Sequence, residues 1–229
     1  MSKNLLQRIY TSVILLFILF IGSFINQYIF ILLILTLGLI ICFEANNIFI
    51  KLLTPQNSKK KIHLKKNNFK FLILNMLTFC YIFFIFCDFS YKIYDSKSSI
   101  FFLYVISICF FTDIGGYVFG KIIGGKKLSK ISPNKTISGT FGSFIFSILP
   151  LIIILNTDYL DLKFNLANIA FCLLLSLISQ LGDLFISLLK RRAKMKDTGK
   201  ILPGHGGVLD RVDGIIFAVP FSYFLLELI

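Results

Sequence analysis

Residues 187–213 carry a mixture of side chains that suits phosphate and metal chemistry. Seven basic residues, three aspartates, one histidine and four glycines fall within these 27 positions. Basic groups and exposed glycine N–H groups bind phosphate oxygens, and closely spaced aspartates hold divalent cations. The stretch therefore predicts a site for phosphoryl or nucleotidyl transfer that uses a metal ion.

Two aspartates, Asp210 and Asp213, close this stretch. They are three residues apart at the start of the last apolar run, so we expect them to share a helical face. Placed near Asp183, they would give two or three carboxylates around one or two Mg²⁺ ions. The alternative is that they cap a helix N-terminus with Arg211 as their partner.

A second group of polar residues precedes the stretch on one helical face. Ser187 and Lys190 are four and seven residues after Asp183, so at about 100° per residue all three stay within roughly 40° of one face. The face passes from a carboxylate through a hydroxyl to an ammonium group. This order suits a metal ion at the bottom of a site and phosphates above it.

The rest of the chain predicts a membrane frame for these residues. Hydrophobic residues make up 56% of the 229 positions, above the average of about 45–50%, and apolar runs long enough to span about 30 Å of hydrocarbon recur throughout. We expect an all-α, polytopic integral membrane protein with about seven transmembrane helices. The predicted spans are 8–25, 28–51, 69–87, 99–121, 138–156, 166–190 and 211–229.

The basic residues predict the orientation of these spans. With the N-terminus in the cytoplasm, 21 of the 24 Lys and Arg residues fall on the cytoplasmic side, and only Lys92, Lys97 and Lys163 fall outside. This asymmetry follows the positive-inside rule. It accounts for the net charge of +13, so no nucleic-acid partner is expected.

The chain is predicted to form one membrane domain over residues 1–229, because neither an internal repeat nor a Pro- or Ser-rich linker divides it. The N-terminal spans occupy residues 1–98. The catalytic half occupies residues 99–229, with inner loops at 122–137 and 190–211.

Three carboxylates are predicted to lie at one depth inside the membrane. Glu44, Asp113 and Asp183 are each seven or eight residues from the cytoplasmic end of their span, which is about 10–12 Å. A charge at mid-bilayer costs about 2.5–3.5 kcal/mol, so each carboxylate needs a reason to be there. A polar cavity open to the cytoplasm supplies one. Alternatively, each group snorkels to the interface or is neutral by itself.

The inner loop 124–139 is basic and rich in glycine and hydroxyl groups. Ser132 followed by Pro133 predicts a helix start, with serine as the cap and proline at the first helical position. N–H groups at a helix start attract phosphate. Ser132 and Lys135 are therefore candidate phosphate ligands.

Three stretches resemble the phosphatidate cytidylyltransferases (CDP-diacylglycerol synthases). The stretch 187–213 is similar to the C-terminal motif of that family, and 113–121 and 131–136 are similar to two further segments. The resemblance covers roughly residues 110–214. The chain departs from the family at Ile137-Ser138, where an aromatic or aliphatic residue and then Glu or Gln are usual, and its N-terminal half is shorter.

The resemblance implies that the chain transfers CMP from CTP to phosphatidic acid, giving CDP-diacylglycerol and pyrophosphate, with one or two Mg²⁺ ions. It implies that Asp183, Asp210 and Asp213 hold metal and act in catalysis, with Lys190 and Ser187 on the nucleotide phosphates. The enzyme would lie in the inner (plasma) membrane as a multi-pass protein, with its active site facing the cytoplasm and membrane lipid around it. A homodimer is left open.

Further substrate-binding assignments come from the residues themselves. We place Lys196, His205 and Arg211 on the triphosphate, with Lys135 and Ser132 holding a phosphate from the neighbouring loop. Asp113 is expected to line the cavity, either on metal or on a base.

Other classes of protein are weighed against this interpretation. A transporter would use Glu44, Asp113 and Asp183 as an ion path, but transporters tend to show paired repeats, and none is visible. A CDP-alcohol phosphotransferase would need an Asp-Gly-x-x-Ala-Arg pattern, which residues 213–218 begin without the Arg. A relative that only binds CTP or lipid is the third alternative.

Overall fold

Helices account for most of the chain that the computed structural model describes, namely residues 20–53, 64–129, 132, 135–157, 159–199, 201–202 and 206–228. Within these ranges no β-strand forms, and β-type backbone pairing is limited to isolated bridges, Lys127 with Thr136 and Leu202 with Gly206. The prediction of an all-α protein is confirmed.

Helical segments follow one another along the chain. In chain order they are α1 Gln27–Leu53, α2 Leu64–Cys80, a π-helical segment Tyr81–Cys87, α3 Asp88–Lys97, α4 Ser99–Ile122, α5 Ile137–Ser147, α6 Leu149–Leu155, α7 Leu166–Arg192, α8 Leu209–Val212 and α9 Ile215–Leu228.

Five helical runs among the described residues are long and apolar enough to cross a membrane. The chain is therefore a multi-pass membrane protein. The five runs are Gln27–Leu53, Phe69–Lys97, Ser99–Ile122, Ile137–Leu155 and Leu166–Arg192. Most of the predicted first span, 8–25, lies outside the described residues, and the last helix has only 14 residues. The count of seven stays a prediction.

The third span does not end where the sequence indicated. The helix continues without a break from Leu64 to Lys97, so the expected outer loop after residue 87 is helical. Hydropathy falls at Asp88 because the chain becomes polar there, but backbone hydrogen bonding continues to Lys97. The turn is confined to Ser98, whose φ is 118° and whose side chain accepts a hydrogen bond from the Phe101 N–H at 3.3 Å.

The predicted last span is also interrupted. α8 ends at Val212 and α9 begins at Ile215, so Asp210 and Asp213 do not lie on one continuous helical face. The Asp213 carboxylate accepts a hydrogen bond from the Gly214 N–H at 3.0 Å, which competes with helical pairing at this point. The expected shared face was therefore wrong.

The chain contacts divide the molecule into two compact units. The first comprises residues 1–88 and 189–212, and the second comprises residues 89–188 and 213–229. Within the first unit, α1 presents one buried stripe to its neighbours, in which Phe30, Ile34 and Ile41 recur at helical spacing. The π-helical segment packs where α1 has no side chain: a Cβ on Gly38 would lie 3.0 Å from Ile82 Cγ2.

In the second unit, α4 and α5 pack at glycine positions. A Cβ on Gly115 of α4 would meet the Gly142 carbonyl oxygen and would lie 2.6 Å from Phe146 Cβ. A Cβ on Gly139 of α5 would lie 2.7 Å from the Gly116 carbonyl oxygen. Such backbone approach is typical of helix pairs in membranes. It fixes α4 against α5, the two helices that border the inner loop 124–139.

We expect Gly115→Ala to lower the free energy of unfolding by about 1–3 kcal/mol, because the methyl group overpacks the α4–α5 contact. This loss exceeds the gain of about 1 kcal/mol in helix propensity. The measurement is unfolding of the detergent-purified protein by a denaturant. Gly120→Ala is the matched control on the same helix, since its Cβ would meet only Thr136 Oγ1 at 3.1 Å and Gly139 Cα at 3.8 Å. Equal losses in both variants would contradict the packing account.

Candidate active site

Backbone hydrogen bonds within the inner loop fix the position of Lys135. The Leu128 N–H donates to the Lys135 carbonyl oxygen at 2.8 Å, and the Ile137 N–H donates to the Lys126 carbonyl oxygen at 3.0 Å. These bonds pair the two ends of the loop. The Ser138 hydroxyl adds a bond to the Gly124 carbonyl oxygen, so the residue that departs from the family pattern closes the loop here.

The start of α5 differs from the sequence prediction. The helix begins at Ile137, and the Thr136 side chain caps it by accepting the Gly139 N–H at 3.1 Å. The expected helix start after Ser132 was therefore wrong for α5, and Pro133 lies outside the described residues. The Lys135 carbonyl oxygen is used by the loop bridge, and the main chain of Thr136 is extended.

Asp183 on α7 is the centre of a polar cluster in the second unit. Its carboxylate forms an ion pair with Lys135 and accepts a hydrogen bond from the Ser187 hydroxyl at 3.2 Å. The Asp213 side chain lies within hydrogen-bonding reach of it. The spacing of four residues along α7 thus brings Asp183 and Ser187 together, as a common helical face requires.

The cluster brings carboxylate and hydroxyl oxygens together. The side chains of Asp183 and Asp213 adjoin each other, and the Ser187 hydroxyl donates to Asp183. Carboxylate and hydroxyl oxygens are the ligands that Mg²⁺ prefers. The donor set therefore fits a magnesium ion.

No group of three His, Cys, Asp or Glu side chains that could hold a metal ion is found in the described part of the chain. Of the three aspartates expected on metal, the structure brings Asp183 and Asp213 together within one unit. The magnesium site with all three aspartates stays a prediction.

A cavity of about 270 Å³ opens beside this cluster, between α4, α5 and the inner loop. Hydroxyl and amide groups line it together with one acid and one base. The lining residues are Asp113, Gly116, Tyr117, Ser132, Lys135, Thr136, Gly139, Thr140, Ser143 and Gln180. The structure thus places three of the predicted site residues around one cavity: Asp113, Ser132 and Lys135.

In the first unit, four polar groups surround Asp210. The Lys190 ammonium group lies 2.6 Å from one carboxylate oxygen. The other oxygen accepts the Thr198 N–H at 2.8 Å and the Gly207 N–H at 3.1 Å, and the Thr198 hydroxyl oxygen lies 3.0 Å from it. Lys190 and Asp210 are largely buried, with side-chain exposures of 12% and 7%. Asp210 therefore anchors the loop that precedes α8, and it forms an ion pair with Lys190.

The remaining predicted site residues are less enclosed. Lys196 and Arg211 are exposed to the surroundings, and His205 lies outside the described residues. The sequence analysis did not single out Thr198, Thr136 or Gln180, because a lone hydroxyl or amide in a loop or span carries no pattern. Only the requirement that a buried carboxylate have donors points to a residue such as Thr198.

The fold and these clusters define a multi-pass membrane protein with carboxylates and lysines paired inside its helical frame. Residues 45–229 match the model of the cytidylyltransferase family. The chain belongs to this family.

Individual relatives agree with this assignment. The chain is 39% identical over 170 residues to a phosphatidate cytidylyltransferase of Bacillus subtilis, a match that covers 72% of this chain and 62% of that protein. It is 46% identical over 126 residues to one of Staphylococcus aureus, covering 54% of this chain and 48% of the relative. The chain thus spans between about half and 62% of the length of these relatives.

We expect Lys190→Met to destabilise the protein by about 3 kcal/mol, the lower end for a broken buried ion pair, because two main-chain N–H groups still donate to Asp210. Unfolding of the detergent-purified protein by a denaturant measures the change. Lys196→Met is the matched control, since Lys196 is exposed and its loss should change stability by less than about 0.5 kcal/mol. A Lys190 variant as stable as the control would show that the ion pair does not hold Asp210.

Proposed function

We propose that the chain is a phosphatidate cytidylyltransferase, which transfers CMP from CTP to phosphatidic acid and releases pyrophosphate. Membership of the cytidylyltransferase family supports this proposal, as do the relatives that carry that name. CTP and phosphatidic acid are then its substrates, and the product CDP-diacylglycerol stays in the membrane.

The observation that carries the proposal is the cluster around Asp183. A membrane-spanning helix bears a carboxylate that is paired with Lys135 and adjoined by Ser187 and Asp213. Lys135 also lines the cavity. A carboxylate on such a helix costs free energy, so this arrangement is better explained by a reaction than by stability alone.

The reaction needs two anions to meet. An oxygen of the lipid phosphate attacks the α-phosphorus of CTP, and the bond from that phosphorus to the oxygen shared with the β-phosphate breaks. The electron pair leaves with pyrophosphate. Positive charge and N–H or O–H donors at fixed positions offset both the repulsion and the charge on the leaving group.

The residues of the cluster suit these needs. Lys135 brings an ammonium group to the cavity wall, where it can bind a phosphate oxygen. Ser187 can donate a hydrogen bond to another. Asp183 and Asp213 would hold Mg²⁺, which when bound neutralises charge on the phosphate oxygens. The part of Asp210 in metal binding belongs to this proposal as well.

The same proposal places the site at the cytoplasmic side of the inner (plasma) membrane. The excess of Lys and Arg in the loops 122–137 and 190–211 supports this orientation. CTP then reaches the cavity from the cytoplasm, and phosphatidic acid reaches it from the inner leaflet. A homodimer stays a prediction.

Purified protein with radiolabelled CTP, phosphatidic acid and Mg²⁺ tests the proposal. We expect labelled CDP-diacylglycerol to form and to disappear when Mg²⁺ is chelated. Transfer of a CDP-linked headgroup to an added alcohol would instead favour a phosphotransferase. CTP binding without product would favour a relative that only binds its ligands, and solute transport without product would favour a transporter.

We expect Asp183→Asn to lower kcat by at least about a hundredfold, because the variant loses a charge at the reacting phosphates with little change in volume. Asp161→Asn is the matched control, since Asp161 is exposed in the connection between α6 and α7. The measurement is the rate of CDP-diacylglycerol formation per amount of membrane-inserted protein. A near-normal rate in the Asp183 variant would remove this carboxylate from the site.

A further inference from the structure

Glu44 on α1 is a carboxylate with no exposed surface, 0% of its accessible area. Three donors from the loop before α8 surround it. The Val208 N–H donates to Oε1 at 3.0 Å, the Leu209 N–H donates to Oε2 at 2.8 Å, and the Thr198 hydroxyl contacts Oε2 at 2.8 Å. Both oxygens of this carboxylate, which lies on a membrane-spanning helix, are therefore bonded by one segment of the chain.

The pattern of donors requires a carboxylate at this position. Each of its two oxygens accepts a main-chain N–H. A glutamine has the same shape, but its NH₂ group would face one of these N–H groups and leave a buried donor without an acceptor. A carboxylate is therefore the one side chain of this length that satisfies both.

The loop backbone also closes around this carboxylate. A Cβ on Gly199 would lie 3.0 Å from Glu44 Cδ, and a Cβ on Gly207 would lie 2.8 Å from the same atom. These two glycines, near the two ends of the loop, thus approach Glu44 more closely than any other residue type could. The hydrogen bonds and the close packing both indicate that Glu44 anchors this loop.

Thr198 links Glu44 to Asp210. Its hydroxyl lies 2.8 Å from Glu44 Oε2 and 3.0 Å from Asp210 Oδ2, and its N–H donates to the same Asp210 oxygen. Asp210 in turn holds the ammonium group of Lys190 at 2.6 Å. A change at Glu44 therefore reaches Asp210 and Lys190 through Thr198 and the loop backbone.

We propose that Glu44 is a positioning residue for nucleotidyl transfer, which fixes Thr198 and residues 207–209 and thereby the orientation of Asp210 and Lys190. This inference rests on the proposed function, and it assigns to the N-terminal half of the chain a part in the reaction. Glu44 itself contacts no substrate in this account.

Glu44→Gln tests the inference. We expect kcat for CDP-diacylglycerol formation to fall about tenfold to a hundredfold, because small displacements of reacting groups cost this much. Ile41→Val is the matched control: Ile41 is 1% exposed on the same helix, and the variant loses a buried methyl group but no hydrogen bond. It should unfold at a lower temperature and keep its kcat.

A double-mutant cycle separates positioning from general loss of stability. In a Thr198→Val background the hydroxyl between Glu44 and Asp210 is gone and only the loop backbone connects them, so Glu44→Gln should lower kcat by a smaller factor than it does in the wild-type background. Losses that multiply independently in the double variant would overturn the inference. So would a Glu44→Gln protein with normal kcat while wild-type protein is active.

Tryptic cleavage after Lys194 and Lys196, which are both exposed, tests the anchoring without any activity. We expect Glu44→Gln to be cleaved there about tenfold faster than wild type, since the loop opens more often, and Ile41→Val to be cleaved at the wild-type rate. If wild-type protein forms no CDP-diacylglycerol but this acceleration is seen, the proposed function fails and the anchoring role stands. Equal cleavage rates overturn the anchoring role itself.

Discussion

A carboxylate inside a membrane-spanning helix must find donors, and this constraint governs the polar part of the structure. Glu44 meets it with two main-chain N–H groups and a threonine hydroxyl. Asp183 meets it with a lysine and a serine. In both places donors come from loops, so the hydrogen bonds that offset the cost of burying the carboxylate also order a segment of loop. The acids on the spans thereby specify the conformations of the loops that would carry the chemistry.

The contact between α4 and α5 supports the pairing of Lys135 with Asp183, because it holds the two ends of the inner loop. Gly115 and Gly142 let the backbones of α4 and α5 approach too closely for any side chain, which fixes the two ends of the inner loop. Thr136 caps α5 and Ser138 closes the loop onto Gly124. Lys135 therefore has a defined place on the cavity wall. A lysine with four rotatable bonds would otherwise lose much of its entropy on binding phosphate.

Sequence patterns predicted the features that depend on local periodicity. The ends of α4 and α7, and the common face of Asp183 and Ser187, follow from hydropathy and helical spacing. Features that depend on contacts between distant residues were missed. Hydropathy marked Asp88 as a span end, although the helix continues to Lys97. Serine and proline at 132–133 resembled a helix start, but Thr136 is the cap. The partners of Glu44 lie more than 150 positions away in the chain. The sequence therefore predicted the depth of Glu44 in the membrane but not its hydrogen-bonding partners.

The central claim is that the cluster of Asp183, Lys135 and Ser187 binds the phosphates that react. The most direct measurement is an experimental structure of the protein in lipid with CTP and Mg²⁺ bound. The account predicts density for the nucleotide phosphates in the cavity beside Lys135, with Ser187 in hydrogen-bonding contact and Asp183 beside the metal ion. Nucleotide bound elsewhere, with the ion pair between Lys135 and Asp183 unchanged and the cavity filled by lipid chains, would contradict it.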